Sequence, residues 1–78
     1  MQNTLLAKKI RNLEIKVTEY TAGGDICYGV IMIKYKKDKH GFPENKMDCI
    51  AAYSMRDYKE YAKERALRMA NQIIEVLK

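Results

Sequence analysis

The sequence predicts an α+β domain in the order α-β-β-β-α. A three-stranded antiparallel meander packs on a long C-terminal helix, and a short helix precedes the strands. Three observations predict this. Apolar and polar residues alternate over 13–21, a Gly23-Gly24 pair separates that run from a second apolar run, and from Ser54 onward the apolar period changes from two to between three and four.

Asn3 or Thr4 is placed to cap a helix over 5–12, because Leu6, Ile10 and Leu13 recur at spacings of four and three. So short a helix needs something to pack on, and an extended arm is the alternative. The first strand follows over 13–21, where Leu13, Ile15 and Val17 alternate with Glu14, Lys16 and Thr18. Gly23-Gly24 suits a two-residue hairpin, whose central residues need positive φ. With Ala22 opposite Asp25, Val17 pairs with Val30 and Ile15 with Met32.

The second strand, over 26–36, is apolar on both faces and therefore central. Leu13, Ile15, Val17, Tyr28, Val30 and Met32 share the face assigned to the core. The other face carries Ile31, Ile33 and Tyr35 beside Tyr20, an apolar patch of the kind that marks an interface. A polar loop over 37–46, punctuated by Gly41 and Pro43, leads to a third strand over 47–54.

Ser54 with Asp57 three residues on resembles a capping box, and it opens a helix running to about Leu77. Tyr58, Ala62, Ala66, Met69, Ala70, Ile73 and Leu77 form its apolar stripe. Leu67 and Ile74 fall on one flank, and Glu64 and Arg68 form a favourable pair one turn apart.

At 78 residues the chain is one domain, 1–78. Its 47% hydrophobic and 32% charged residues exclude a disordered chain. Apolar runs such as 30–33 are far short of a membrane span, and MQNTLLAKKI holds no secretory apolar core. Cys27 and Cys49 form no CxxC pair, so a reducing cytoplasm with both thiols free is expected.

Chemistry-bearing motifs are few. His40 is the single histidine, and no phosphate-cradling Gly-rich loop, nucleophile elbow or HExxH stands in the chain. One His and two Cys are too few for the usual zinc site. No catalytic residue, metal or cofactor is assigned, and the chain reads as a binding module.

A net charge of +5 favours anionic partners. Two cation groups stand out. Arg56, Lys59 and Lys63 flank the start of the last helix, where free amides and the helix dipole add to their charge; Lys34, Lys36, Lys37 and Lys39 run from the second strand into the loop. Either group alone fits a solvated surface; together they point to nucleic-acid backbone.

The stretch SMRDYKEYAKERAL, with Ser54, Arg56, Lys59, Ala62, Ala66 and Leu67, resembles the end of a double-stranded RNA-binding domain, as does the predicted element order. The resemblance implies phosphate contacts by Arg56 and Lys59, with Met55 where the family has a lysine. It departs in the first hairpin: a Gly-Pro-x-His motif is expected there, whereas Gly-Gly stands there and His40-Gly41-Phe42-Pro43 lies in the next loop. A three-stranded sheet followed by a capped helix is also similar to integrase arm-binding and AP2-like modules, in which the sheet face reads DNA. The competing class is a small accessory protein of the phage or mobile-element type. Such a protein would bind, modulate or inhibit a host protein through Ile31, Ile33, Tyr35 and Tyr20, or through an acidic host surface that meets the cations. The same outer face would also serve a homodimer.

Overall fold

A computed structural model describes residues 2–78. Four antiparallel strands stand in sequence order: β1 (Asn3–Ile10), β2 (Leu13–Ala22), β3 (Asp25–Lys34) and β4 (Lys46–Ser54). A short helix α1 (Met55–Tyr58), a 3-10 turn (Lys59–Tyr61) and the long helix α2 (Ala62–Leu77) complete the chain. The fold is α+β, but it is four strands with C-terminal helical structure, not three strands with a helix at each end.

The first correction is the N-terminal helix, which is strand β1. The spacing of four between Leu6 and Ile10 is even, so it serves one face of a strand as well as one face of a helix. Ile10 then lies opposite Leu13 across the two-residue Arg11-Asn12 turn, where Arg11 adopts φ 56°. Eight residues make a weak helix, whereas the open edge of β2 offers a full ladder of backbone partners. A bulge at Leu5 breaks the register between Thr4 and Leu6 and turns both Leu5 and Leu6 against the core.

The Gly23-Gly24 hairpin has the predicted register, with Ala22 opposite Asp25, Val17 opposite Val30 and Ile15 opposite Met32. Both glycines have positive φ, 59° and 83°. β3 ends at Lys34, so Tyr35 and Lys36 belong to the connection that follows.

The predicted single helix from Ser54 is broken. Ser54 caps as expected, its hydroxyl accepting from the Asp57 amide at 3.2 Å. The chain then turns sharply at Lys59, whose φ of 53° no continuous helix allows. α2 restarts at Ala62 and lays Ala62, Ala66, Ala70 and Ile74 on the sheet, all buried. Three alanines at a spacing of four let the helix approach closely over the fully buried Ile15, Val17 and Val30. Ile74, expected on a flank, is therefore a core residue. Tyr58, expected in the stripe, is exposed, because the break at Lys59 takes it out of line.

α2 starts just beyond the C-terminal end of β4. It finishes at the β1–β2 turn, where the Arg11 guanidinium donates to the Leu77 carbonyl at 3.0 Å. The helix thus crosses the sheet diagonally and leaves the first half of β4 bare: Lys46 to Ile50 are all exposed.

Candidate nucleic-acid interface

The two cation groups predicted together lie at opposite ends of the sheet. Arg56 pairs with Asp25 at 2.9 Å, beside the Gly-Gly hairpin. Lys34 closes β3 at its other end, nine residues from Asp25. At ~3.3 Å per residue, that is a separation of roughly 30 Å.

At the hairpin end, Arg56 is engaged by Asp25. Lys59 sits on the backbone break and Lys63 in the first turn of α2, with Asp57, Glu60 and Glu64 interleaved. Glu64 in turn binds Arg68 at 3.1 Å, and the Arg65 guanidinium lies 5.6 Å from the centre of the Tyr58 ring. Charge at this end is mixed.

The loop end differs. The β3–β4 connection is held by its own backbone: Lys37 bridges Pro43, and the Glu44 amide donates to the Lys36 carbonyl at 2.8 Å. At its tip one Asp38 carboxylate oxygen accepts from the amides of both His40 and Phe42 at 2.9 Å. Gly41 supplies the positive φ of 85° that the reversal needs. The base is anchored too, since the Tyr35 amide donates to the Asn12 carbonyl at 2.7 Å. This bonding presents Lys37 and Lys39 to solvent, and Phe42 with them at 67% exposure.

Further cations gather at the same end. Lys34 and Lys46 face each other across β3 and β4, Arg11 sits on the β1–β2 turn, and Lys9 lies 4.7 Å from the centre of the Tyr35 ring. Of the acids here, Glu44 is 3.6 Å from Lys36, Asp38 faces the loop amides, Glu14 accepts from Tyr35 and Asp48 lies two residues from Lys46. The excess charge is positive. Arg11, Lys46 and Phe42 were not singled out in the sequence. Lys46 was legible as a neighbour of the lysine loop, Phe42 only as its one aromatic, and Arg11 not at all, because its place depends on β1 being a strand.

The outer sheet face lies opposite the one that α2 covers, and it is less open than the sequence suggests. Ile33 is only 8% exposed, and Ile31, Tyr20 and Tyr35 are half-buried. The Tyr20 ring lies across Gly29: a Cβ there would stand 3.2 Å from the ring and 3.6 Å from the Thr18 hydroxyl. Burial, then the nearby Cys27 and Cys49 thiols, raises the Tyr20 phenol above its usual range. The Tyr35 hydroxyl donates to Glu14 at 2.6 Å.

Cys27 is buried opposite Ser54 and Cys49 is exposed opposite Ile31. Four positions of β3 separate them, ~13 Å, which is beyond disulfide reach. His40 is exposed at the loop tip. Among the described residues, no group of three or more His, Cys, Asp or Glu is placed to hold a metal ion, and no helix is long and apolar enough to cross a membrane.

Comparison with protein-family models, with curated proteins and with solved structures finds no match. The first helix implied by the resemblance to a double-stranded RNA-binding domain is strand β1, and the Ser54-to-Leu67 stretch is broken at Lys59.

Proposed function

We propose that the chain is a non-enzymatic binding module that engages a nucleic-acid backbone through the loop end of its sheet. The observation that carries this reading is the ordered β3–β4 loop. It holds Lys37, Lys39 and an exposed Phe42 outward, with Lys34, Lys36, Lys46 and Arg11 behind them. Lysines on a braced loop suit phosphate contacts, and an exposed aromatic among them can stack on an unpaired base. Arg56, Lys59 and Lys63 are secondary: they lie ~30 Å away, and Arg56 already has a carboxylate partner.

The test is a salt titration of binding to labelled single- and double-stranded oligonucleotides. Replacing Lys37 and Lys39 by Gln should weaken binding and lower the salt slope by about two units on a duplex. Phe42→Ala should weaken single-strand binding more than duplex binding. Arg56→Gln with Lys63→Gln should have the smaller effect. Binding that ignores salt, or that needs Arg56 and Lys63 but not the loop, overturns the assignment.

The alternative, an accessory protein docking on a host protein through the outer face, has less to stand on. Of its four proposed anchors, Ile33 is buried and the Tyr35 hydroxyl is engaged by Glu14. A complex that survives nuclease and high salt and fails on Ile31→Glu would favour it.

A further inference from the structure

The two edges of the sheet carry different charge patterns. β1 presents Lys8 and Lys9 with no acid anywhere along the strand, so two copies of it repel. β4 begins Lys46-Met47-Asp48, a sequence complementary to itself when read antiparallel.

The hydrogen-bond phase shows which backbone groups of β4 are free. A two-residue hairpin closes on a hydrogen-bonded pair, here Ala22 and Asp25, and such pairs alternate along an antiparallel ladder. Counting along β3, the amides of Tyr28, Val30, Met32 and Lys34 point toward β4. Their partners Asp48 and Lys46 therefore point inward. The Glu44 amide bonded to Lys36 continues the same phase. Asn45, Met47 and Cys49 are left with N–H and C=O directed out of the sheet.

The side chains agree. Lys46 and Asp48 take part in no ion pair among the described residues, and Lys46 faces another lysine, Lys34. Met47 is 65% exposed. A like-charged pair at a sheet edge, with an unpaired acid two residues away, lacks a carboxylate on its open side.

We propose that β4 pairs antiparallel with β4 of a second copy about a two-fold axis at Met47. Met47 lies opposite Met47 of the partner in a hydrogen-bonded pair, and Asn45 lies opposite Cys49. Lys46 and Asp48 form reciprocal ion pairs at non-hydrogen-bonded positions, where side chains stand closest. The axis is perpendicular to the sheet, so the two sheets become one of eight strands with both helices on one face. The bulge at Ile50 ends the pairing.

Sedimentation equilibrium tests this directly, with circular dichroism confirming that each variant is folded. The wild type should dimerise, more weakly as salt rises. Lys46→Asp should raise the dissociation constant at least ~tenfold, since like charges then face each other. Lys46→Asp combined with Asp48→Lys should restore it. Register is read by oxidation: in a Cys49→Ser background, Met47→Cys should cross-link rapidly, because a hydrogen-bonded pair at ~5.5 Å suits a disulfide. A wild type that stays monomeric at its solubility limit overturns the proposal. So does a charge swap that fails to rescue, or cross-linking through native Cys49 with none through Met47→Cys.

Discussion

The two faces of this sheet are closed by different means. On one face α2 lays three alanines and Ile74 over Ile15, Val17 and Val30, and the alanines and these three strand residues have no exposed surface. On the other face, away from α2, Thr18, Cys27, Gly29 and Ile33 are also buried. There the side chains cover one another: Tyr20 lies over Gly29, and Tyr35 reaches Glu14. The helix-covered face depends on shape and the absence of polar atoms. The open face depends on a few long side chains with polar ends, which remain adjustable. Substitutions should therefore be felt most sharply under the helix.

The largest effect is expected from Ala66→Asp. Ala66 has no exposed surface and faces the fully buried strand residues, so the carboxylate would enter without a cation or hydrogen-bond donor. A cost above ~4 kcal/mol is expected, enough to unfold a domain of this size. A cooperative thermal transition near that of the wild type would mean that α2 does not pack on Ile15 and Val30 as described.

Effects on the open face should be smaller and of either sign. Gly29→Val would displace the Tyr20 ring, which already stands 3.2 Å from where a Cβ would be, at a cost of about 1–3 kcal/mol. Thr18→Val should do the reverse. The Thr18 hydroxyl is buried without a hydrogen-bond partner, on a residue only 3% exposed. Replacing it by a methyl group of the same shape removes that desolvation cost and should add about 1 kcal/mol. Urea unfolding of both variants checks the pair. A destabilised Thr18→Val would show that the hydroxyl is satisfied in solution.

The same contrast explains what the sequence made legible. The Gly-Gly hairpin register and the Ser54 cap follow from local rules, and both are found; of the helix-side core, Ile15, Val17, Tyr28, Val30 and the three alanines are found, whereas Tyr58 is exposed and Ile74 takes a core place. β1 was not legible because a spacing of four satisfies both a helix and a strand, and the choice turns on the free edge of β2. The break at Lys59 was hidden because 58–66 keeps helical periodicity across it. Of the candidate site, the loop lysines were legible as a cluster, but their distance from Arg56 was not, since it depends on which end of β3 each group meets. The burial of Ile33 is not legible in the sequence, because side chains on a sheet face can cover one another without a helix above them.

The smallest expected effect separates the faces by pH. Each face holds a tyrosine beside a carboxylate: Tyr28 opposite Glu19 under the helix, and Tyr35 on Glu14 in the open. In both, hydrogen bonding to the carboxylate is the main cause that holds the phenol protonated above its ordinary range, followed by burial and by the carboxylate's charge. In the unfolded chain a tyrosine loses its proton near pH ~10. Above that pH the unfolded state binds fewer protons than the folded one, so stability falls as pH rises. The contribution is fully present below pH ~10 and is lost as pH passes the raised folded values. Tyr35→Phe should flatten this alkaline loss in part, and Glu14→Gln should do so less, because a neutral amide still accepts the bond and only the carboxylate's charge is lost. Tyr28→Phe should flatten it too, with an added loss of stability at neutral pH from its tighter packing. Urea midpoints between about pH 8 and about pH 11 provide the measurement. If Tyr35→Phe leaves the alkaline slope unchanged while Tyr28→Phe reduces it, the open face does not hold its tyrosine–carboxylate bond in solution, and the helix-covered face alone is ordered to that degree.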